Sequence, residues 1–242
     1  MTAHPSRGWA LAAGALGGYL AGAYSFSKVI GERAAPGEDL NVTFIDVKET
    51  GTTVEFHGIT PTSVKEHAGG RAMMATIALE AAKAAVPTLG ARVLLPGTGA
   101  APAAATAAVI GHVFPMWSGL RGGYGMSPML GGFLVLDPLG MVATTAGLSG
   151  MILLARDRRL MMLWPLTVPV WGAARGRRDV VAFGTAANVA YWVRLVPELR
   201  RGLSSILSVR RPVDSGGLDV ASAQPEDPDR GEQGTQAEQH PS

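Results

Sequence analysis

Apolar segments of membrane-crossing length alternate with short polar breaks along most of this chain. Residues 9–30 are almost wholly apolar or small, close to the length of about 20 residues that a helix needs to cross a hydrocarbon core. Residues 72–95 form a second such segment, interrupted by Glu80 and Lys83. After the Pro96-Gly97-Thr98-Gly99 turn, the small-residue run 100–110 forms a third. Residues 127–136 and 139–155 flank an Asp137-Pro138 break, where Asp137 can cap the following helix. The short apolar stretch 160–173 lies between Arg156-Asp157-Arg158-Arg159 and Arg175-Gly176-Arg177-Arg178. Basic groups on both sides leave open a thin crossing or a re-entrant hairpin. Residues 180–195 are the last apolar segment. The pattern predicts an all-α fold, a polytopic membrane helix bundle of about six or seven spans.

Three departures from that pattern are polar. Residues 41–47 and 52–57 are alternating, β-branched runs separated by Lys48-Glu49-Thr50-Gly51, which predicts a small β-hairpin inserted at the membrane surface. The segment 200–211 is a basic amphipathic piece suited to an anionic membrane surface. From 212 to 242 the chain is rich in Pro, Gly, Ser, Gln, Asp and Glu, and is expected to be disordered. The expected organisation is therefore a membrane domain over 1–211 and a tail over 212–242.

Composition narrows the possible functions. Of 242 residues, 47% are hydrophobic and 17% charged, too apolar and charge-poor for an ordinary soluble domain. The net charge of +2 comes with arginines at span ends rather than on one basic face, so no nucleic-acid partner is expected. With no cysteine there is no disulfide framework, thiolate metal site or cysteine nucleophile. The histidines are scattered, so neither a metal site nor a cofactor is expected. The segment after Arg7 lacks a convincing cleavage site and is read as a retained span.

The densest candidate chemistry lies in Gly111-His112-Val113-Phe114-Pro115 and Arg121-Gly122-Gly123-Tyr124-Gly125. Glycines let successive amides converge on an anion, and the Arg121 guanidinium adds a charge suited to phosphate or carboxylate. The same residues also make a glycine-rich turn between spans. Glu80 and Lys83, three residues apart, share a helix face and can pair; they can line a polar pathway or substrate cavity, or form a buried structural pair. Ser63 belongs to a hydroxyl-rich loop that can hold a polar substrate or cap a helix.

On these residues the chain resembles the bacterial membrane glycerol-3-phosphate acyltransferases that use acyl-phosphate as donor. That family carries G-H-x-F-P, a short spacer and K-G-G-K-G, and Gly111-His112-Val113-Phe114-Pro115 and Arg121-Gly122-Gly123-Tyr124-Gly125 stand in those places. Leu79-Glu80-Ala81-Ala82-Lys83 is similar to its L-D-x-x-K, and Thr62-Ser63-Val64 occupies the position of its T-N-V. Asn188-Val189 and Arg194-Leu195 are similar to its N-I and R-L. The resemblance covers roughly residues 9–202.

The departures fall mainly on the acceptor side. The family's G-S-x-P is Gly22-Ala23-Tyr24-Ser25 here, its phosphate loop is replaced by Glu55-Phe56-His57-Gly58-Ile59-Thr60-Pro61, and its following arginine falls on Glu66. Tyr124 stands for the second lysine, Arg159 and Met162 for paired serines, and the histidine before N-I is absent.

The resemblance implies that a hydroxyl of glycerol 3-phosphate attacks the carbonyl of an acyl-phosphate in a bacterial inner membrane, with the bilayer as surroundings and no obligate protein partner. It implies His112 and Arg121 as catalytic residues. Gly122, Gly123, Gly125, Ser63, Glu80, Lys83, Asn188 and Arg194 are then expected to bind substrate. A lipid-phosphate-binding protein without turnover and a small transporter are the competing classes; the absence of an internal repeat counts against the latter.

Overall fold

The computed structural model describes residues 6–38, 40, 42–47 and 52–209. Within them the chain forms helices α1 (Arg7–Ala23) and α2 (Phe26–Ala34), strands β1 (Val42–Val47) and β2 (Thr52–His57), and helices α3 (Pro61–Leu94), α4 (Ala100–Val113), α5 (Met126–Leu136), α6 (Pro138–Ala155), α7 (Trp164–Ala174) and α8 (Arg178–Val209). The strands pair antiparallel, Val42 opposite His57 and Val47 opposite Thr52, as the alternating pattern predicts. Segments Pro61–Leu94, Ala100–Ser118, Pro138–Ala155 and Arg178–Arg201 are long and apolar enough to cross a membrane. The other apolar helices are shorter: α1 has 17 residues, α5 and α7 have 11 each. The expected turn at 48–51 and the expected disordered tail at 212–242 lie outside the described residues.

Small residues set the tightest packing. Gly14, Gly18 and Gly22 on α1 lie against the main chain of Ala100, Ala104 and Ala108 on α4, so close that a Cβ on any of them would run into the facing carbonyl. Gly111 returns the contact against Tyr19, whereas Gly17 faces open space. In lipid, such close approach supplies the dispersion contacts that hold helices together without a hydrophobic driving force. A larger core, built around Val109, Val113, Met129, Phe133, Val168, Phe183 and Ala187, joins α4, α5, α7 and α8.

Three segments differ from their sequence reading. The apolar stretch 9–30 is two helices, not one. Tyr24 is extended, the Ser25 hydroxyl accepts from the Lys28 amide at 3.2 Å to start α2, and the Trp117 indole donates to the Ala23 carbonyl at 2.7 Å. Helix α3 starts at Pro61, well before residue 72. Thr60 and Ser63 close a reciprocal capping box, and the helix then passes through a non-helical Gly69 at φ 82°. Finally, α8 runs on to Val209, so the basic piece begins as a helix continuation.

The Asp137-Pro138 break is as expected. The Asp137 carboxylate accepts from the Gly140 amide at 2.9 Å and from the Trp171 indole at 3.1 Å, with Arg177 3.8 Å away. Trp171 lies near the end of α7 and Asp137 at the start of α6, so α7 runs back alongside α6.

Candidate active site

A cavity of about 420 Å³ opens where the α1–α2 junction, the exit of β2, the middle of α3, the end of α4 with its following loop, and α8 converge. Each wall has a local cause. The break after Ala23 brings Tyr24 and Ser25 to the cavity, and α2 adds Lys28 and Glu32, which pair at 3.8 Å. The hairpin delivers His57 and Gly58, and α3 contributes Lys83. His112 ends α4, and the turns after it present Arg121, Gly122 and Gly123.

Behind the wall lies a buried polar cluster. Glu80 is fully buried; one carboxylate oxygen accepts from the Ser27 amide and the Ser27 hydroxyl, both at 2.9 Å. Its other oxygen pairs with Lys83 and stands 3.2 Å from Nδ1 of His112. The Lys83 ammonium also donates to the Tyr24 carbonyl at 2.6 Å and lies 2.9 Å from the same imidazole nitrogen. Glu80 and Lys83 therefore do pair, and the pair extends to His112. Opposite Nδ1, the ring's Nε2 faces Gly123, where a Cβ would collide with it.

The glycine loop is organised differently from a fully open anion nest. The Gly122 amide donates to the Val113 carbonyl at 3.1 Å, and the Arg121 amide to the Ser118 carbonyl at 3.2 Å. Those two amides are spent on the loop itself. The Gly123 amide makes no hydrogen bond among the described residues. Two successive residues, Gly119 and Leu120, take left-handed φ of 60°, which turns the chain so that the exposed Arg121 lines the cavity.

Arg194 enters from α8. Its guanidinium donates to the His57 carbonyl at 2.8 Å, to Glu198 at 2.8 Å and, at 3.4 Å, to the Gly122 carbonyl. Glu198, only 1% exposed, also accepts from Arg201 at 2.9 Å and stands 3.5 Å from the His57 ring. This cluster ties hairpin, glycine loop and α8 together. The Arg194 guanidinium lies over the Tyr124 ring at 5.5 Å. Burial, with the Glu198 charge adding to it, pushes the Tyr124 phenol up to about 12 against the opposing Arg194 and Arg201 charges.

Of the residues singled out from sequence, His112, Arg121, Gly122, Gly123, Lys83 and Arg194 line the cavity, and Glu80 sits directly behind it. Ser63, Gly125 and Asn188 do not line it. Ser63 caps α3; Gly125, at φ 86°, starts α5; and the Asn188 amide donates to the Pro165 and Gly184 carbonyls, both at 2.7 Å, joining α8 to α7. The polar end of the first apolar segment, residues 23–28, reads from sequence either as facing an aqueous cavity or as an interfacial anchor, and Ala23, Tyr24, Ser25 and Lys28 do line the cavity, with Ser27 buried behind them. His57 and Glu198 were not singled out as site members from sequence; Glu198 had a visible signal in its i,i+4 spacing from Arg194.

An apolar groove of about 310 Å³ adjoins the cavity, lined by Ala21, Tyr24, Phe26, Ala82, Lys83, Val86 and Pro87. Tyr24 and Lys83 belong to both spaces.

The fold and this cavity define a multi-pass membrane protein with a cationic, partly buried polar site. A family model described as glycerol-3-phosphate acyltransferase matches residues 12–204. The chain belongs to that family and is an enzyme of the acyltransferase class. It is 35% identical over 194 residues to a glycerol-3-phosphate acyltransferase of Anaeromyxobacter dehalogenans, covering 76% of this chain and 89% of the relative. It is 30% identical over 203 residues to one of Methylorubrum populi, covering 83% and 94%. Among solved structures it is similar to PlsY (YgiH), an integral membrane glycerol 3-phosphate acyltransferase. The glycerol 3-phosphate form of PlsY matches with TM-score 0.67 and 19% identity over 84% of this chain and 94% of that one. The lysophosphatidic acid form matches with TM-score 0.60 and 17% identity, over 86% and 95%. These structural likenesses bear on the fold.

Proposed function

We propose that the protein transfers a fatty acyl group from an acyl-phosphate to a hydroxyl of glycerol 3-phosphate in a bacterial inner membrane. The products are lysophosphatidate and inorganic phosphate. One observation carries the reading: Lys83 and Tyr24 line both the cationic cavity and the apolar groove. An amphiphile with an anionic head and a long chain fits that continuity, with its phosphate among Lys28, Lys83 and Arg121 and its chain toward Val86 and Pro87. In the reaction the acceptor hydroxyl oxygen bonds to the acyl carbon, the bond from that carbon to the phosphate oxygen breaks, and the hydroxyl proton goes to the leaving phosphate. Arg121 and the Gly123 amide stabilise negative charge on the phosphate and the carbonyl oxygen, because preorganised donors act without reorganisation. His112 orients the reacting groups from the side facing Gly123. Arg194 acts through its clamp on His57 and Gly122; Ser63, Gly125 and Asn188 act by holding α3, the glycine loop and α8.

Because the Gly122 amide is spent on Val113, the charge on the reacting groups falls to Arg121 and the Gly123 amide. Purified protein in lipid, supplied with acyl-phosphate and labelled glycerol 3-phosphate, tests the reading. Lysophosphatidate and phosphate formed one to one, and lost on Gly123→Leu, support the transferase. Binding of acyl-phosphate with no product, under conditions where a relative turns over, defeats it. Presenting several phosphorylated alcohols in parallel identifies the acceptor.

A further inference from the structure

The geometry points to Ser27 as a positioning residue that, through Glu80, sets where Lys83 and His112 stand in the cavity wall. Ser27 is completely buried on α2 and lines neither the cavity nor the groove. Both of its donors go to one place: its amide and its hydroxyl each reach the same oxygen of Glu80 at 2.9 Å. That leaves the second Glu80 oxygen turned toward Lys83 and Nδ1 of His112. A carboxylate free to rotate cannot serve both the ammonium and the imidazole at once with fixed geometry. Two donors converging on one oxygen from a helix N-terminus remove that rotation.

The arrangement also couples elements. Ser27 lies between Ser25, which lines the cavity and caps α2, and Lys28, which lines it from the same turn. Anchoring Ser27 to Glu80 therefore fixes the register between the α2 wall and the Lys83–His112 wall. Glu80 reaches both Ser27 donors with its full side-chain length, and a carboxylate one methylene shorter at 80 would draw its oxygens back from them. The side chain at 27 and the length of the side chain at 80 are then one device. In function, this inference rests on the acyl-transfer reading above; in structure, it does not.

The test is a double-mutant cycle on Ser27→Ala, Glu80→Asp and their combination. It reads acyl transfer as a function of pH, thermal unfolding in detergent, and the imidazole resonances of 15N-histidine-labelled protein, with His112→Asn giving the assignment. Positioning predicts that Ser27→Ala lowers kcat/KM by about tenfold or more, since small misplacements of reacting groups cost up to roughly 100-fold. It also predicts an altered pH profile and displaced His112 resonances. In the Glu80→Asp background Ser27→Ala has no further effect. Ser27→Ala protein with wild-type His112 resonances and pH profile overturns the proposal, whatever its melting temperature, as does strict additivity in the cycle. If wild-type protein makes no product while the His112 resonances still respond to Ser27→Ala, the acyl-transfer reading falls and the positioning stands.

Discussion

Lys83 on α3 and His112 on α4 hold their nitrogens 2.9 Å apart, against the same buried Glu80 oxygen. Two groups that share one partner act as a unit, and their substitutions are not additive. Lys83→Met and His112→Asn are each expected to lower kcat/KM by about 100-fold or more, and the double variant by little beyond the worse single one. Steady-state kinetics on the four proteins check this; a product of two independent losses sinks it.

Gly123→Ala is expected to fold and to lose most activity. The added methyl meets the His112 ring, a side chain rather than main chain, so the imidazole is pushed off its place beside Glu80 and Lys83 while α4 and α5 are left in place. Acyl-transfer assays beside a thermal melt separate the two effects. A melt as depressed as the activity contradicts the assignment.

The α1–α4 seam gives a packing test with an internal control. Gly18→Leu and Gly22→Leu place side chains into the main chains of Ala104 and Ala108, which cannot yield as a side chain tip can. Both variants are expected to unfold or fail to accumulate. Gly17→Leu, one residue from Gly18 and facing open space, is expected to behave as wild type. Detergent-extracted yield and size-exclusion profiles read the difference.

Asp137→Ala removes the cap of α6 and the acceptor of the Trp171 indole together. Loss of the cap alone costs about 1 kcal/mol, and an indole left without its acceptor adds to that. A lower melting temperature with unchanged KM at permissive temperature is expected, because this contact joins α6 and α7 and no member of it lines the cavity.

Tyr124 sets an alkaline limit. Its phenol is held up to about 12 by burial, while an unfolded phenol ionises near pH 10. Above about pH 10 the unfolded chain therefore binds fewer protons than the native one, and stability falls as pH rises. Below that value both states keep the proton and Tyr124 contributes no pH dependence. Tyr124→Phe is expected to remove this part of the alkaline fall and to leave the slope of stability between pH 6 and about pH 9 unchanged. Thermal melts of both proteins across the two ranges measure it.

The sequence by itself determined the helical membrane class, the hairpin over 41–47 and 52–57, the Asp137-Pro138 break and the shared helix face on which Glu80 and Lys83 can pair. Each follows from local rules: apolar length, period-two alternation, a capping carboxylate before proline, and i,i+3 spacing on one helix face. The histidine and glycine motif was legible for the same reason, since all of its parts lie within fifteen residues of chain. Tertiary structure alone decided which of those parts face one another. The Ala23 carbonyl at the Tyr24 break takes an indole arriving from Trp117, and the Gly122 amide is spent because Val113 lies opposite it. Ser27 and His57 gain partners 53 and 137 residues away, in Glu80 and Arg194. No periodicity encodes such pairings, because side chains on separate helices meet only once the bundle has fixed their depth and rotation.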